Sequence, residues 1–231
     1  MLSERNRRLL LKLKEKIILK CPKCKGQNPE CSCLDEFRLE FKKVKANIPT
    51  KFRKATFEKI THPETVEVRA KLKIYIDSIE NNFEEGKGLF MFGPNGTGKS
   101  ILSCIVLIEA LKKGMTAYFY TFDKVIRLYT TGWKDEIAKD LFDECIINKD
   151  FLVLDEVGNE SRTNITLVKG CLNEILRQRC NNCLPTILLS NFHFNRIKDI
   201  YGEEVFSIIN EACTPLEFNG IDYRQNVING N

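Results

Sequence analysis

The sequence predicts an α/β fold: five short parallel strands with helices on both faces, preceded by a small helical, cysteine-rich region. Three observations carry this. From Leu89 onward, short wholly apolar runs alternate with helical stretches, the rhythm of strands buried on both sides and joined by crossover helices. A glycine-rich segment, Gly93-Pro94-Asn95-Gly96-Thr97-Gly98-Lys99-Ser100, separates the first such run from the first long apolar helix. Upstream, four cysteines crowd into residues 21–33.

The elements follow in order. Residues 2–20 read as a helix, with Leu10, Leu13 and Ile17 in one stripe and basic residues on the other face. After the cysteines, Leu34, Phe37, Phe41 and Val44 repeat at spacings of three and four, a second amphipathic helix that stops before Pro49. Residues 50–60 carry no periodicity and read as an extended linker. Pro63 sits where a helix starts, and Leu72, Ile76, Ile79 and Phe83 continue an apolar stripe to the break at residues 84–88. The candidate strands are 89–92, 117–121, 151–154, 186–189 and 216–218. This divides the chain into an N-terminal helix and cysteine-rich region (1–48) with its own small core, a linker (49–63) and an α/β domain (64–231).

Composition narrows the class. Of 231 residues, 43% are apolar and 29% charged, as in soluble globular proteins, and no apolar run approaches the roughly 18 residues that span a bilayer. The first 20 residues are too densely charged for a secretory signal, and Glu4, Glu15 and the scarcity of serine argue against a transit peptide. Ten cysteines without an export signal are expected to be reduced thiols in a cytoplasmic protein with no membrane partner. Charge is uneven: residues 1–60 hold 17 Lys/Arg against 7 Asp/Glu, whereas residues 61–231 hold 19 against 24. The basic N-terminal part is the expected meeting place for an acidic partner surface or nucleic acid.

The glycine-rich segment matches GxxxxGK[ST] and lies between strand and helix, where its chemistry requires it. Its backbone N–H groups form an anion nest at a helix N-terminus, Lys99 reaches the β- and γ-phosphates, and the Ser100 hydroxyl ligates Mg²⁺. The apolar strand 151–154 ends in Asp155-Glu156, placing two carboxylates where open α/β sheets bind ligands. Asp155 is the expected second Mg²⁺ ligand, and Glu156 the group that polarises attacking water, which points to ATP hydrolysis. Asn191 lies just beyond the strand 186–189 and is either a partner of that water or of the γ-phosphate or a strand-end cap of the segment from Phe192.

These motifs, with IPTKFRKATFEKI, FLVLDEVG, LNEILRQR, LPTILLSN and the late GIDYR, resemble the DnaC/IstB-like branch of AAA+ ATPases, in particular bacterial and phage replicative-helicase loaders. The resemblance covers nearly the whole chain. It implies an AAA+ sheet of order 5-1-4-3-2 without a C-terminal helical lid, Asn191 as sensor 1 and Arg224 as a sensor-2-like arginine. It also implies a DnaB-like hexameric helicase and single-stranded DNA as partners, with self-assembly on the helicase, in the cytoplasm of a bacterial or phage-infected cell. One position departs from the pattern: Ile208 stands where the family carries its trans-acting arginine finger. Arg162, Arg177, Arg179 and Arg196 are the candidate substitutes, Arg177 and Arg179 also fitting the exposed face of a helix over 164–182.

Cys21-x2-Cys24-x6-Cys31-x-Cys33 supplies four soft ligands in one short segment, the donor set of a closed structural Zn²⁺ site, with free thiols or an iron–sulfur cluster as the alternatives. Cys180 and Cys183 form a second CxxC without a partner pair and read as ordinary packing, and His62 and His193 are too isolated to name as ligands or bases. Lys124, Arg127, Trp133, Lys134 and Lys139 combine charge with an aromatic, either a grip on single-stranded DNA or a solvated helix pair around one packed Trp. The leading function is a helicase loader. The alternatives are an IstB-like transposition ATPase, a module that uses ATP as a conformational ligand, and a small-molecule kinase, for which the sequence offers neither acceptor pocket nor lid.

Overall fold

The computed structural model describes residues 4–19, 21–28, 30–160, 164–220 and 222–223. The chain opens with α1 (Glu4–Lys14), extended by a π-helical turn (Glu15–Leu19), and α2 (Cys33–Lys45). Then come α3 (Val66–Asp77) and α4 (Ile79–Glu84), β1 (Gly88–Phe92), α5 (Lys99–Lys112) and β2 (Ala117–Thr121). Next are α6 (Phe122–Gly132), α7 (Glu136–Phe142), β3 (Phe151–Val157) and α8 (Ile165–Asn181). The series ends with β4 (Thr186–Ser190), α9 (Phe194–Tyr201), α10 (Glu203–Ala212) and β5 (Cys213–Glu217). No helix among the described residues is long and apolar enough to cross a membrane.

The five strands form one parallel sheet in the order β2-β3-β4-β1-β5, the expected order read from the other edge. Side chains alternate across it with the strand period of two. Leu89 and Met91 of β1 join Val153, Ile187, Leu189 and the buried stripe of α5 on one face. Phe90 and Phe92 join Leu152, Leu154, Leu188 and the inner faces of α6, α8, α9 and α10 on the other. Both faces are therefore dry, which is why the strands read as continuous apolar runs. Strand ends at the C-terminal edge of β1, β3 and β4 converge on the loop before α5.

Two expectations change. Residues 50–60 are packed: they make two 3₁₀ turns (Thr50–Phe52 and Phe57–Lys59), and Ala55 and Ile60 enter the same core as β1 and α5. Arg53 is buried there, its Nε donating to Ile48 O at 2.9 Å and its carbonyl accepting from Lys43 Nζ at 3.0 Å. A segment held by 3₁₀ turns has no 3.6- or 2-residue period for pattern reading to find. Nor is the end of α2 separate from the sheet: Val44 is buried, and Ala46 and Ile48 belong to its core. Ala46 O accepts from Phe119 N at 2.9 Å and Asn47 Nδ2 donates to Phe119 O at 2.8 Å, so the chain after α2 satisfies the open edge of β2.

Candidate functional site

The loop between β1 and α5 is shaped by its glycines. Gly93, Gly96 and Gly98 have φ of 139°, 75° and 97°, and a Cβ on Gly93 would lie 2.0 Å from Phe218 O. Only glycine gives that combination of left-handed backbone and close approach. The loop runs into the N-terminus of α5, whose orphan N–H groups and dipole favour an anion. Lys99, at the first turn, is 7% exposed, and its Nζ donates to Gly93 O at 2.6 Å and Pro94 O at 2.7 Å. The ammonium is thus folded onto the carbonyls of the cradle it would leave for a phosphate. Thr97 Oγ1 donates to Pro94 O at 2.9 Å and tightens the same turn.

The two carboxylates arrive from β3. Ser100 Oγ donates to Asp155 Oδ2 at 2.8 Å, joining residues 55 apart in sequence, and Glu156 N donates to Asp155 Oδ1 at 2.8 Å. A serine hydroxyl and a carboxylate oxygen in contact beside an anion nest are hard oxygen donors of the kind Mg²⁺ takes together with substrate phosphates, so the residues present fit that ion. Glu156 has φ of 66° and an exposed side chain. The ladder between β3 and β4 is irregular between Leu154 and Val157, which places the bend at the two acids. Asn191 follows β4 directly. It lines one cavity of about 680 Å³ together with Asn95, Lys99, Ser100, Asp155 and Glu156, a volume in the range of small-ligand sites.

The same cavity is lined by Lys51, Phe52, Ile60 and His62, from the segment expected to be a linker, and by Tyr223. His62 and Tyr223 stack with ring centroids 3.7 Å apart and planes 14° from parallel. Tyr223 OH donates to Glu64 Oε2 at 2.8 Å, and Tyr223 N donates to Gly96 O at 3.3 Å. Glu64 is held below the ordinary carboxylate range by its own backbone N–H and then by Tyr223, and burial pushes Tyr223 up to about 12. The GIDYR signal pointed to this region, but through Arg224, which lies outside the described residues, as does Arg162.

Of the other candidate arginines, Arg179 requires a correction. It does not belong to an exposed face but is 0% exposed under the sheet. Its Nη1 donates to the carbonyls of Ile146, Ile147 and Lys149, its Nη2 to Pro185 O and its Nε to Thr186 Oγ1, all between 2.7 and 3.0 Å. Burial lowers it to about 9. Arg177 pairs with Glu204, and Arg196 is 3.5 Å from Asp199; both are exposed. Ile208 is half-buried against the α8–α10 side of the core. Trp133 is not packed but 64% exposed, edge-on to Tyr129 at 5.6 Å, and Lys124, Arg127, Lys134 and Lys139 are exposed as well.

The four N-terminal cysteines come together: the Sγ atoms of Cys21, Cys24, Cys31 and Cys33 all lie within 4.8 Å of one another. Cys21 and Cys31 are 3.8 Å apart and Cys24 and Cys33 3.5 Å. Tetrahedral bonds of about 2.3 Å put thiolate sulfurs roughly 3.8 Å apart, so the set matches a closed four-thiolate site. Gly26 N donates to Cys24 Sγ at 3.4 Å, the main cause holding that thiol down at about 6.

Residues 36–213 match the family described as IstB-like ATP binding protein. The chain belongs to this family. The IstB-like chain is 27% identical over 153 residues to the uncharacterized protein YdaV of Escherichia coli strain K12, covering 65% of the chain and 61% of YdaV. It is 25% identical over 118 residues to the replicative helicase loader DnaI of Bacillus subtilis strain 168, covering 51% of the chain and 37% of DnaI. The chain thus spans less than two thirds of either relative. Among solved structures, the DnaC helicase loader superposes with a TM-score of 0.61 at 26% identity, over 69% of the chain and 92% of that structure. The fold is that of the AAA+ ATPases, and the family is described as ATP binding.

Proposed function

We propose that this IstB-like protein is an ATP-hydrolysing loader that engages a hexameric, DnaB-like replicative helicase and helps place it on single-stranded DNA. The observation that carries the reading is the junction of Ser100 with Asp155 at the glycine cradle, in a chain similar to the DnaC helicase loader. The backbone of residues 93–98 and the ammonium of Lys99 hold the phosphates. Ser100 and Asp155 hold Mg²⁺, which when bound neutralises charge on the β- and γ-phosphate oxygens. Glu156 accepts the proton of an attacking water, and Asn191 orients that water against the γ-phosphate. Arg224 is assigned the sensor-2-like contact. Cys21, Cys24, Cys31 and Cys33 hold one Zn²⁺ that fixes the N-terminal turn between α1 and α2.

The exposure of Trp133 and of Lys124, Arg127, Lys134 and Lys139 on α6, α7 and the turn between them supports single-stranded DNA as the polymer gripped, by stacking and phosphate pairing. A second reading, an ATP-switched module with little turnover, is favoured by Ile208, whose half-buried side chain offers no cation to a neighbouring subunit. The third, an IstB-like transposition ATPase, is favoured by the family match and differs in partner. A turnover assay with and without single-stranded DNA separates the first reading from the second, and size-exclusion chromatography with the replicative helicase of the same genome separates the first from the third. Co-elution that depends on ATP supports the loader; no complex with the helicase, but one with a transposase, replaces it.

A further inference from the structure

The turn after Glu156 is fastened more firmly than an ordinary surface loop. Glu156 adopts φ of 66°, a region that L side chains keep only where neighbours hold them there. Upstream, Asp155 is anchored through both oxygens, by Ser100 and by Glu156 N. Downstream, Val157 O accepts from Ser190 Oγ at 2.7 Å, and Asn159 N donates back to Glu156 O at 3.2 Å. The next amide, Gly158 N, is shared between Glu160 Oε1 at 2.9 Å and the Tyr201 hydroxyl at 2.8 Å, and Tyr201 in turn donates to Glu160 Oε2 at 2.8 Å. Gly158 itself, at φ 100°, has no room for a side chain, since a Cβ would sit 2.6 Å from the Phe192 ring.

Tyr201 closes α9, the helix that follows Asn191, and is 3% exposed. Neither Tyr201 nor Glu160 lines the nucleotide cavity. Their hydrogen bonds nevertheless converge on an amide two residues from Glu156, tying the arm that carries the second acid to the arm that carries Asn191. A tyrosine buried only for packing would satisfy its hydroxyl on any nearby carbonyl; this one closes a three-way ring with a carboxylate and the turn's own N–H. Burial raises the Glu160 carboxyl, while the Gly158 amide and the Tyr201 hydroxyl pull it back down.

We infer that Tyr201 and Glu160 are positioning residues for Glu156, a clasp that fixes the backbone after β3 so that the acid faces the P-loop cavity. This rests on the reading of Glu156 as the group that activates water. The clasp acts through geometry alone, and displacement of a catalytic group by about 1 Å can cost on the order of 100-fold in rate.

Tyr201→Phe in the full chain keeps the ring and removes the hydroxyl. Its kcat for ATP should fall about 10- to 100-fold with KM within about two-fold, because the cradle and Lys99 are untouched. The Gly158 amide should exchange with deuterium faster than in the parent. Glu160→Ala should reproduce both effects, and the double variant should be no slower than the worse single one, since both remove one clasp. Unchanged kcat in Tyr201→Phe, or a rise in KM matching the loss, overturns the inference. Should Tyr201→Phe fail to fold, Glu160→Ala decides on the same criteria. Parent turnover no faster than that of Lys99→Ala would remove the reading of Glu156 and the clasp with it. Lysine-dependent parent turnover with an unaffected Tyr201→Phe removes the clasp alone.

Discussion

Arg179→Met separates a structural arginine from a catalytic one. Methionine fills much of the same volume without a charge, but it cannot serve the carbonyls of Ile146, Ile147, Lys149 and Pro185 or the hydroxyl of Thr186. Each buried acceptor left without a donor costs about 1–3 kcal/mol, and five groups are in play. Part of this is offset, because the guanidinium itself is costly to bury, as its lowering to about 9 records. A net loss of roughly 3–5 kcal/mol is expected, the range for breaking a buried charged network. For a domain of this size that corresponds to a fall in Tm of about 6–20 °C. Circular dichroism melts of parent and variant, with ATP binding measured below the transition, provide the assay. A Tm within about 2 °C of the parent, or lost turnover without lost stability, would refute the structural role and reinstate Arg179 as a finger candidate.

The remaining expectations follow from the site. Lys99→Ala should abolish tight ATP binding in a folded protein, whereas Glu156→Gln should bind ATP and Mg²⁺ and lose turnover by about 10²–10⁴-fold; isothermal titration and phosphate release distinguish the two, and turnover surviving in Glu156→Gln would remove the acid from its role. Metal analysis of reduced protein should find about one equivalent of zinc, and its chelation should loosen residues 21–33 while ATP binding persists; metal-free protein with the same fold would count against the site. Ile208→Arg should raise the ATPase rate at concentrations where the chain self-associates, up to about the 10³-fold low end of arginine-finger effects, and an unchanged rate would show that this position does not face a neighbouring site.

The sheet and the glycine cradle at its C-terminal edge were legible because each depends on local chemistry. Strands dry on both faces must be apolar throughout, and a phosphate cradle needs glycine at Gly93, Gly96 and Gly98 followed by Lys99 and Ser100. The cysteine cluster was legible for the same reason: four thiolate donors in 13 residues have few other uses. Residues defined by tertiary context were not. Arg179 sits in a helix whose polar positions look alike in sequence, and only the arrival of the chain before β3 and β4 buries it. Lys51, Phe52, Ile60 and His62 reach the cavity from 3₁₀ turns and short connections that leave no period. The Gly158–Glu160–Tyr201 ring joins residues 41 apart and has no motif at all.

ATP-gated delivery of a replicative helicase is read out by a loading assay on circular single-stranded DNA. The full chain is mixed with ATP and the hexameric helicase encoded by the same genome, and helicase retained on the circle is counted after a salt wash. Retention should require both the chain and ATP and should be lost with Lys99→Ala. Equal retention without the chain, or retention unaffected by Lys99→Ala, would contradict it.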